Sequence, residues 1–439
     1  MHVHRSLLAA VARGELPRQI LDEIQSEHLT TVCPVCEAEI HAHQSGRWRL
    51  GGWSASEVRD PVERLRRRLG LTEVELRVHE ERARRWVRKI VRLAPGKRRG
   101  VVRGAYSRYR GSLFGLLLLE EARRRIPAEP AECLSLAEAV LVSCEHGALY
   151  RPDPEVQAPA LAVRGNAKRA LGRLREADQD LADARRLLDS PGMTDPATPA
   201  EVYSYLGSLR RDQGRFQEAS DCLERAARIY DLLGDTEKAA RVLLKLGTVH
   251  FRRHELDAAV AAVDQALELL AHDAPIWLHA YARFNRMWYL HGRGDLDGAE
   301  AELATHSDLL AAAGEEVLQH VTWLRGRIAR SRGDLRTSQR LFSEARAGLL
   351  AREKNLDAGL VSLELALVHL VQGRTPRAKK CALETLQVFA AQKVEREASA
   401  ALEVLAAAAR RDALTRELLE RSIAALESVR HARPAARQP

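Results

Sequence analysis

Aromatic residues make up only 5 % of this 439-residue chain, although 46 % of it is hydrophobic. The chain instead runs through long stretches of Ala, Leu, Arg and Glu, a helical composition with enough apolar surface for a sizeable core. Six cysteines are too few for a disulfide framework, so a cytoplasmic protein with reduced thiols is expected. No uncharged apolar run approaches 18 residues, and Leu116–Leu119 is only four long. No membrane-spanning helix is therefore expected. The N-terminus lacks an apolar stretch ending in a cleavage site, so no signal peptide is expected either. Also missing are a P-loop, a dinucleotide fingerprint, a kinase motif set and a metalloprotease helix. The expectation is a protein that is not an enzyme.

What is present is repetition. A turn of the form Gly-x-(Leu/Phe)-x-x-Ala occurs at Gly172 to Ala177, Gly214 to Ala219 and Gly294 to Ala299. Weaker copies begin at His254, Gly333 and Gly373, which sets a period of about 40 residues. Seven residues before each turn stands a mostly small residue: Gly165, Gly207, Gly247, Met287, Gly326 and Ala366. After the turn come a bulky apolar residue (Leu181, Leu223, Val263, Leu303, Phe342) and then a small one (Ala184, Ala226, Ala266, Ala345). Spacings of three and four put these on one helical stripe. Each unit therefore reads as helix A, a tight turn and helix B, and a fixed period of this kind means stacked units with a long binding surface.

This pattern resembles the tetratricopeptide repeat, whose small-glycine-alanine spacing is matched by Gly207, Gly214, Ala219 and Ala226. The resemblance implies an all-α solenoid, a superhelix of stacked helix hairpins. The period exceeds the usual 34, so longer helices or linkers are expected. The array is expected over residues 111–430, with 111–147 as a divergent first unit and 394–430 as a C-terminal cap. Residues 431–439 read as a disordered tail.

The net charge of +9 is concentrated. Residues 47–110, a basic helical connector, hold 20 Lys/Arg against 7 Asp/Glu. Arg66, Arg67, Arg68, Arg88, Lys89, Lys97, Arg98 and Arg99 are the candidate contacts to a polyanion or an acidic partner. The alternative is a solvated helix face. The array itself is close to neutral, so any nucleic-acid contact is expected in this segment.

Residues 1–46 carry the metal-binding signal. His28, Cys33 and Cys36 stand close together, with two thiols three positions apart. Unligated thiols or redox chemistry are the other readings of the pair. The arrangement resembles the zinc-binding anti-sigma domain of bacteria, in which an upstream His precedes a His-x3-Cys-x2-Cys run. Here the His-to-Cys gap is one residue longer, and His2 or His4 fills the upstream slot. The resemblance implies structural Zn²⁺ held by His4, His28, Cys33 and Cys36, and a sigma factor as partner.

In the resembled repeat, helix A lines the groove. That places Ser204, Ser208, Arg211, Thr248 and Arg252 there, followed by Tyr281, Phe284, Trp288, Trp323, Arg327 and Arg330. Arginines and aromatics are the types that dominate binding hot spots, so a peptide or helix of a protein partner is expected in this groove. Packing between units is the competing role for the two tryptophans. Asn166, Arg241 and Lys245 fit slots of the family's carboxylate clamp, whereas Ala162 and Tyr205 fill two others, which argues against capture of a free C-terminus. Ser143-Cys144-Glu145-His146 suggests a thiol nucleophile, but Cys144 fills a small-residue slot of helix B, which points to burial. The function expected is a regulatory adaptor or scaffold, with nucleic-acid binding through the N-terminal and basic regions as the second reading and a scaffold in a bacterial signalling or defence complex, beside a protease or an ATPase, as the third.

The metal expectation is directly measurable. Purified without added metal and under reducing conditions, the protein should carry about one zinc per chain. Cys33→Ser combined with Cys36→Ser should remove it; elemental analysis without zinc in the unmodified chain overturns the assignment.

Overall fold

A computed structural model describes residues 61–68, 72–104, 112–126, 128–144, 153–190, 193, 195–390, 405–406, 408–409 and 413–432. All regular elements among them are helices. His4, His28, Cys33 and Cys36 lie outside the described residues, as do most of 391–412 and the tail. Two compact units divide the chain, the first ending at Val249 and the second beginning at His250.

The first unit opens with α1 (Pro61–Arg68), α2 (Glu73–Val91) and α3 (Pro95–Gly104). Paired helices follow: α4 (Ser112–Arg125) with α5 (Pro130–Ser143), α6 (Pro154–Ala170) with α7 (Leu174–Leu187), and α8 (Thr198–Asp212) with α9 (Phe216–Leu232). Helix α10 (Thr236–Arg252) crosses into the second unit, where α11 (Leu256–Leu269), α12 (Ile276–Arg293), α13 (Leu296–Thr305) and α14 (Ser307–Ala312) follow. The last helices are α15 (Glu315–Ser331), α16 (Leu335–Ala351), α17 (Asn355–Val371), α18 (Thr375–Ala390) and α19 (Arg416–Ala432). Most repeat helices are 14 to 18 residues long, which accounts for a period above 34.

The turn motif works through backbone conformation. Gly172, Gly214, Gly294, Gly333 and Gly373 all have φ between 72° and 86°, the left-handed region that ends a helix without a Cβ penalty. At Gly214 the N–H donates to the Arg211 carbonyl at 3.0 Å and the next N–H returns to the Arg210 carbonyl at 2.8 Å. His254 makes the same pair of bonds, to Phe251 at 3.1 Å and, through Glu255, to His250 at 3.0 Å, at φ 61°.

The small-to-large pairing works through helix separation. A Cβ on Gly207 would lie 2.6 Å from Leu223 Cγ, and one on Gly326 would lie 2.6 Å from Phe342 Cδ1. Gly165 stands in the same relation to Leu181, at 2.9 Å. Leu181, Leu223 and Phe342 are fully buried. The bulky residue of helix B therefore sits on the bare backbone of helix A, and the two axes approach closely.

The basic connector is not a separate element. Leu65 of α1, Val87 and Ile90 of α2 and Val102 of α3 share one buried cluster with Leu118, Leu119, Leu136 and Val140 of the first hairpin. The sequence boundary at residue 110 therefore cuts through a continuous core. At the other end of the chain, α19 packs on α17.

His254 is an exposed β-carbon residue held where glycine is preferred. His254→Gly should stabilise the protein by about 1 kcal/mol, raising the denaturation midpoint; an unchanged or lower midpoint contradicts the assigned strain.

Candidate functional site

A cationic cluster forms in the first unit where three A helices lie side by side. Arg169 of α6 and Arg211 of α8 occupy the same repeat slot, three residues before the turn glycine. Both reach Asp212, Arg169 Nη1 at 2.5 Å and Arg211 Nη2 at 2.7 Å. Asn166 Oδ1 accepts from Arg169 Nε at 2.8 Å and fixes the guanidinium plane. Lys245 of α10 donates to Ser204 Oγ at 2.8 Å and lies 5.9 Å from the Tyr205 ring centre. Arg241, one turn earlier, pairs with Glu237 at 2.6 Å.

The charges in this cluster do not balance. Glu201, the other carboxylate nearby, is engaged by Arg123 Nε at 2.7 Å and by the Tyr205 hydroxyl at 3.0 Å. Arg169 and Arg211 thus share Asp212, Arg241 pairs with Glu237, and Lys245 is held by Ser204. Burial, and then Arg169, Arg211 and Arg241, push the Lys245 ammonium down to about 7. The site is a set of fixed N–H donors in a positive field, suited to an anion.

The second unit holds a different arrangement. Trp288 and Trp323 are 3 % and 0 % exposed, with ring centres 5.5 Å apart at 81°. They pack inside the helix stack rather than standing in an open groove, which corrects the expectation that both rings face a ligand. The physical reason is the helix spacing: adjacent A helices close over any large side chain pointing between them. Arg327 stacks on Trp288 at 4.6 Å and pairs with Glu364 at 2.6 Å and Glu427 at 2.8 Å. Arg330 holds the second oxygen of Glu364. Burial raises the Glu364 carboxyl, but Arg327 and Arg330 outweigh it and keep the group below its ordinary value. Burial and the same two arginines push His291 down to about 4.

The remaining groove candidates divide by exposure. Tyr281 is 45 % exposed. Phe284 is half-buried, its ring 5.6 Å from Trp288 and 6.1 Å from His320. Arg252 is half-buried. Sequence reasoning missed Arg169, Asp212, Glu364 and Glu427. The first had a readable signal, its slot equivalence with Arg211. The others are counter-charges that only the folded neighbours identify.

The basic candidates divide in the same way. Arg98 is 3 % exposed, donates to the carbonyls of Ile90 at 3.3 Å and Val91 at 3.0 Å, and pairs with Glu132 at 2.6 Å. It closes the C-terminus of α2, so the expected polyanion role is corrected to a structural one. Arg66 is held by Glu63, its Nε at 2.8 Å. Arg67 and Arg68 lie on α1, and their side chains are outside the description. Arg88, Lys89, Lys97 and Arg99 are exposed, with Lys89 5.4 Å from the Trp86 ring and Arg99 3.7 Å from Glu138. Burial pushes the Cys144 thiol up to about 12, so at neutral pH it is no nucleophile. Among the described residues no group of three or more His, Cys, Asp or Glu is placed to hold a metal ion, and no helix is long and apolar enough to cross a membrane.

Comparison with known proteins agrees with the hairpin geometry. The tetratricopeptide repeat family profile matches residues 198–271. Residues 198–271 are therefore similar to tetratricopeptide repeats. The fold is similar to that of a Rap protein solved in complex with Competence and Sporulation Factor, at 15 % identity and a TM-score of 0.55, over 72 % of this chain and 87 % of that one. It is also similar to the apo form of RapI, at 11 % identity and a TM-score of 0.52, over 70 % and 85 %. Among curated proteins none matches the sequence significantly. These likenesses describe the fold.

The tryptophan pair gives a stability test. Trp323→Ala should cost about 3–5 kcal/mol by opening a cavity in the second unit, seen as a lower denaturation midpoint. A variant as stable as the parent contradicts the packing role.

Proposed function

We propose that this protein is a non-enzymatic adaptor that binds an acidic segment of a protein or peptide through the cationic cluster of its first unit. One observation carries the reading: Arg169, Arg211, Arg241 and Lys245 crowd into one place, and burial followed by the three arginines lowers Lys245 to about 7. A bound carboxylate supplies the missing charge. The Rap protein of similar fold was solved with a factor bound, which supports a ligand-receiving role for the hairpin array. Ala162 and Tyr205 in two clamp slots favour an acidic side chain over a free C-terminus.

The N-terminal region adds a second contact in this proposal. The His28, Cys33 and Cys36 spacing supports a zinc-stabilised domain that sequesters a sigma factor or a related transcription component, which would make the chain a cytoplasmic regulator of transcription. A pull-down with the full chain and with the Cys33→Ser, Cys36→Ser variant tests it: sigma factor lost only from the variant supports the assignment, and none retained by either rejects it.

The acidic-segment reading makes a pH prediction with a definite sign. Lys245 has a pKa of about 7 in the free site, and an anion moves it back toward its ordinary 10.5. Binding then takes up a proton. Affinity should be highest below pH 7, fall by up to roughly tenfold per pH unit above it, and level off beyond the bound-state pKa. Calorimetric titration of peptides carrying one Asp or Glu at each register, at pH 6 and 8.5, measures this. Lys245→Arg should keep the affinity and abolish the pH dependence. Affinity that is flat between pH 6 and 8.5 in the parent protein overturns the reading.

A further inference from the structure

Residues 82–119 contain no acidic side chain, and ten of the cations in this run lie within residues 82–104 on α2 and α3. The structure sorts these ten. Ala83, Val87 and Ile90 turn one face of α2 into the core, which fixes the opposite face in solvent. Arg82, Arg85, Arg88, Lys89 and Arg92 are exposed there, and Lys97 is exposed at the start of α3. Arg98 alone is consumed by the fold.

The rest of the molecule shows what an ordinary arginine-rich surface looks like in this protein. Several exposed arginines of the repeat hairpins carry a local acid: Arg173 pairs with Glu176 at 2.6 Å, Arg215 with Glu218 at 2.6 Å, Arg228 with Glu224 at 3.1 Å and Arg340 with Glu344 at 3.6 Å. On α2 that pairing stops after Arg84, which meets Glu80 at 2.6 Å. Arg82, Arg85, Arg88, Arg92 and Lys97 make no ion pair among the described residues. A mixed-sign surface serves solubility; a continuous one-sign surface on a rigid helix is an electrostatic footprint.

We propose that this face of α2 and α3 is a second interaction surface, which binds the phosphate backbone of double-stranded nucleic acid. Cations three and four residues apart are about 5–6 Å from one another along the helix, and Arg82 to Arg92 spans about 15 Å. A duplex offers one charge per ~1.7 Å of its axis, so such an edge meets several phosphates at once. The surface lacks the apolar centre of a protein interface. Its one aromatic, Trp86, is half-buried, and the exposed Val74 and Val78 lie in the preceding acidic part of α2. Residues 82–104 also contain no Asn or Gln to read adenine. The contact proposed is to the phosphate backbone. Thr72 and Glu75 stiffen the helix start with a reciprocal cap, at 3.3 and 2.9 Å, so the face is ordered before any ligand arrives.

The test uses the full chain, two unrelated 20-base-pair duplexes of about equal charge, and fluorescence anisotropy across a salt series. With about five phosphates neutralised, the slope of log affinity against log salt should be roughly −4.5, a loss of about 500-fold between 50 and 200 mM. Arg82→Gln, Arg85→Gln, Arg88→Gln and Arg92→Gln together should flatten that slope by about 3.6. Arg173→Gln, Arg215→Gln, Arg228→Gln and Arg340→Gln remove the same total charge and should leave the slope unchanged. Should the first variant lose helicity by circular dichroism, Lys89→Gln with Lys97→Gln replaces it, with an expected flattening of about 1.8. Equal effects of the two four-residue variants, an unaltered slope in the first, or displacement of duplex by polyglutamate at matched charge overturns the proposal; the last would mark an acidic protein as the partner.

Discussion

The contact between a bare helix backbone and one bulky side chain is the constraint on which the array depends. At Gly165, Gly207 and Gly326 the A helix presents no Cβ, and Leu181, Leu223 and Phe342 of the B helix occupy the space. Because the helices approach so closely there, the neighbouring positions are determined. Ala177, Ala184, Ala219, Ala226 and Ala345 are fully buried beside them. A larger side chain at any of these positions would force the hairpin apart. The left-handed glycine at each turn completes the geometry by reversing the chain within two residues of the helix end.

Close-packed A helices have an electrostatic consequence. Polar groups that line them are drawn out of water and must find partners within the stack. In the second unit Glu364, wholly buried, receives both Arg327 and Arg330, and Glu427 of α19 adds a further carboxylate. In the first unit Arg169, Arg211 and Arg241 pair with Asp212 and Glu237, and burial together with these arginines suppresses the charge of Lys245. One scaffold thus builds a sealed network in one place and an unbalanced one in another. The unbalanced cluster is the one with capacity left for a ligand.

The connector behaves in a similar way on a larger scale. Its inward residues Leu65, Val87, Ile90 and Val102 belong to the core of the first hairpin, so α1 to α3 extend the stack. Its arginines then divide according to where the helix face points. Arg98 is turned inward and closes the end of α2; its neighbours are turned outward.

The architecture was legible in the sequence because it rests on local, periodic requirements. A residue in the left-handed region favours glycine, a close helix crossing demands a small residue, and both recur at a fixed interval that a single chain displays. The turn positions 172, 214, 254, 294, 333 and 373 all adopt that conformation, His254 included. Arg211, Arg241 and Lys245 were visible through the family resemblance, which attaches a role to slots that the period locates. What tertiary structure alone decided is which side chains meet. Trp288 and Trp323 were expected on the same inner face as Tyr281, which is 45 % exposed, yet they are buried because the adjacent helices close over them. Arg98 is indistinguishable from Arg99 in sequence, and the rotation of about 100° from one helical residue to the next sends the first to the core and the second to solvent. The counter-charges Asp212, Glu364 and Glu427 come from partners 43, 37 and 100 positions away in the pairs they form with Arg169 and Arg327. Burial and long-range charge pairing depend on distances that composition and periodicity do not encode.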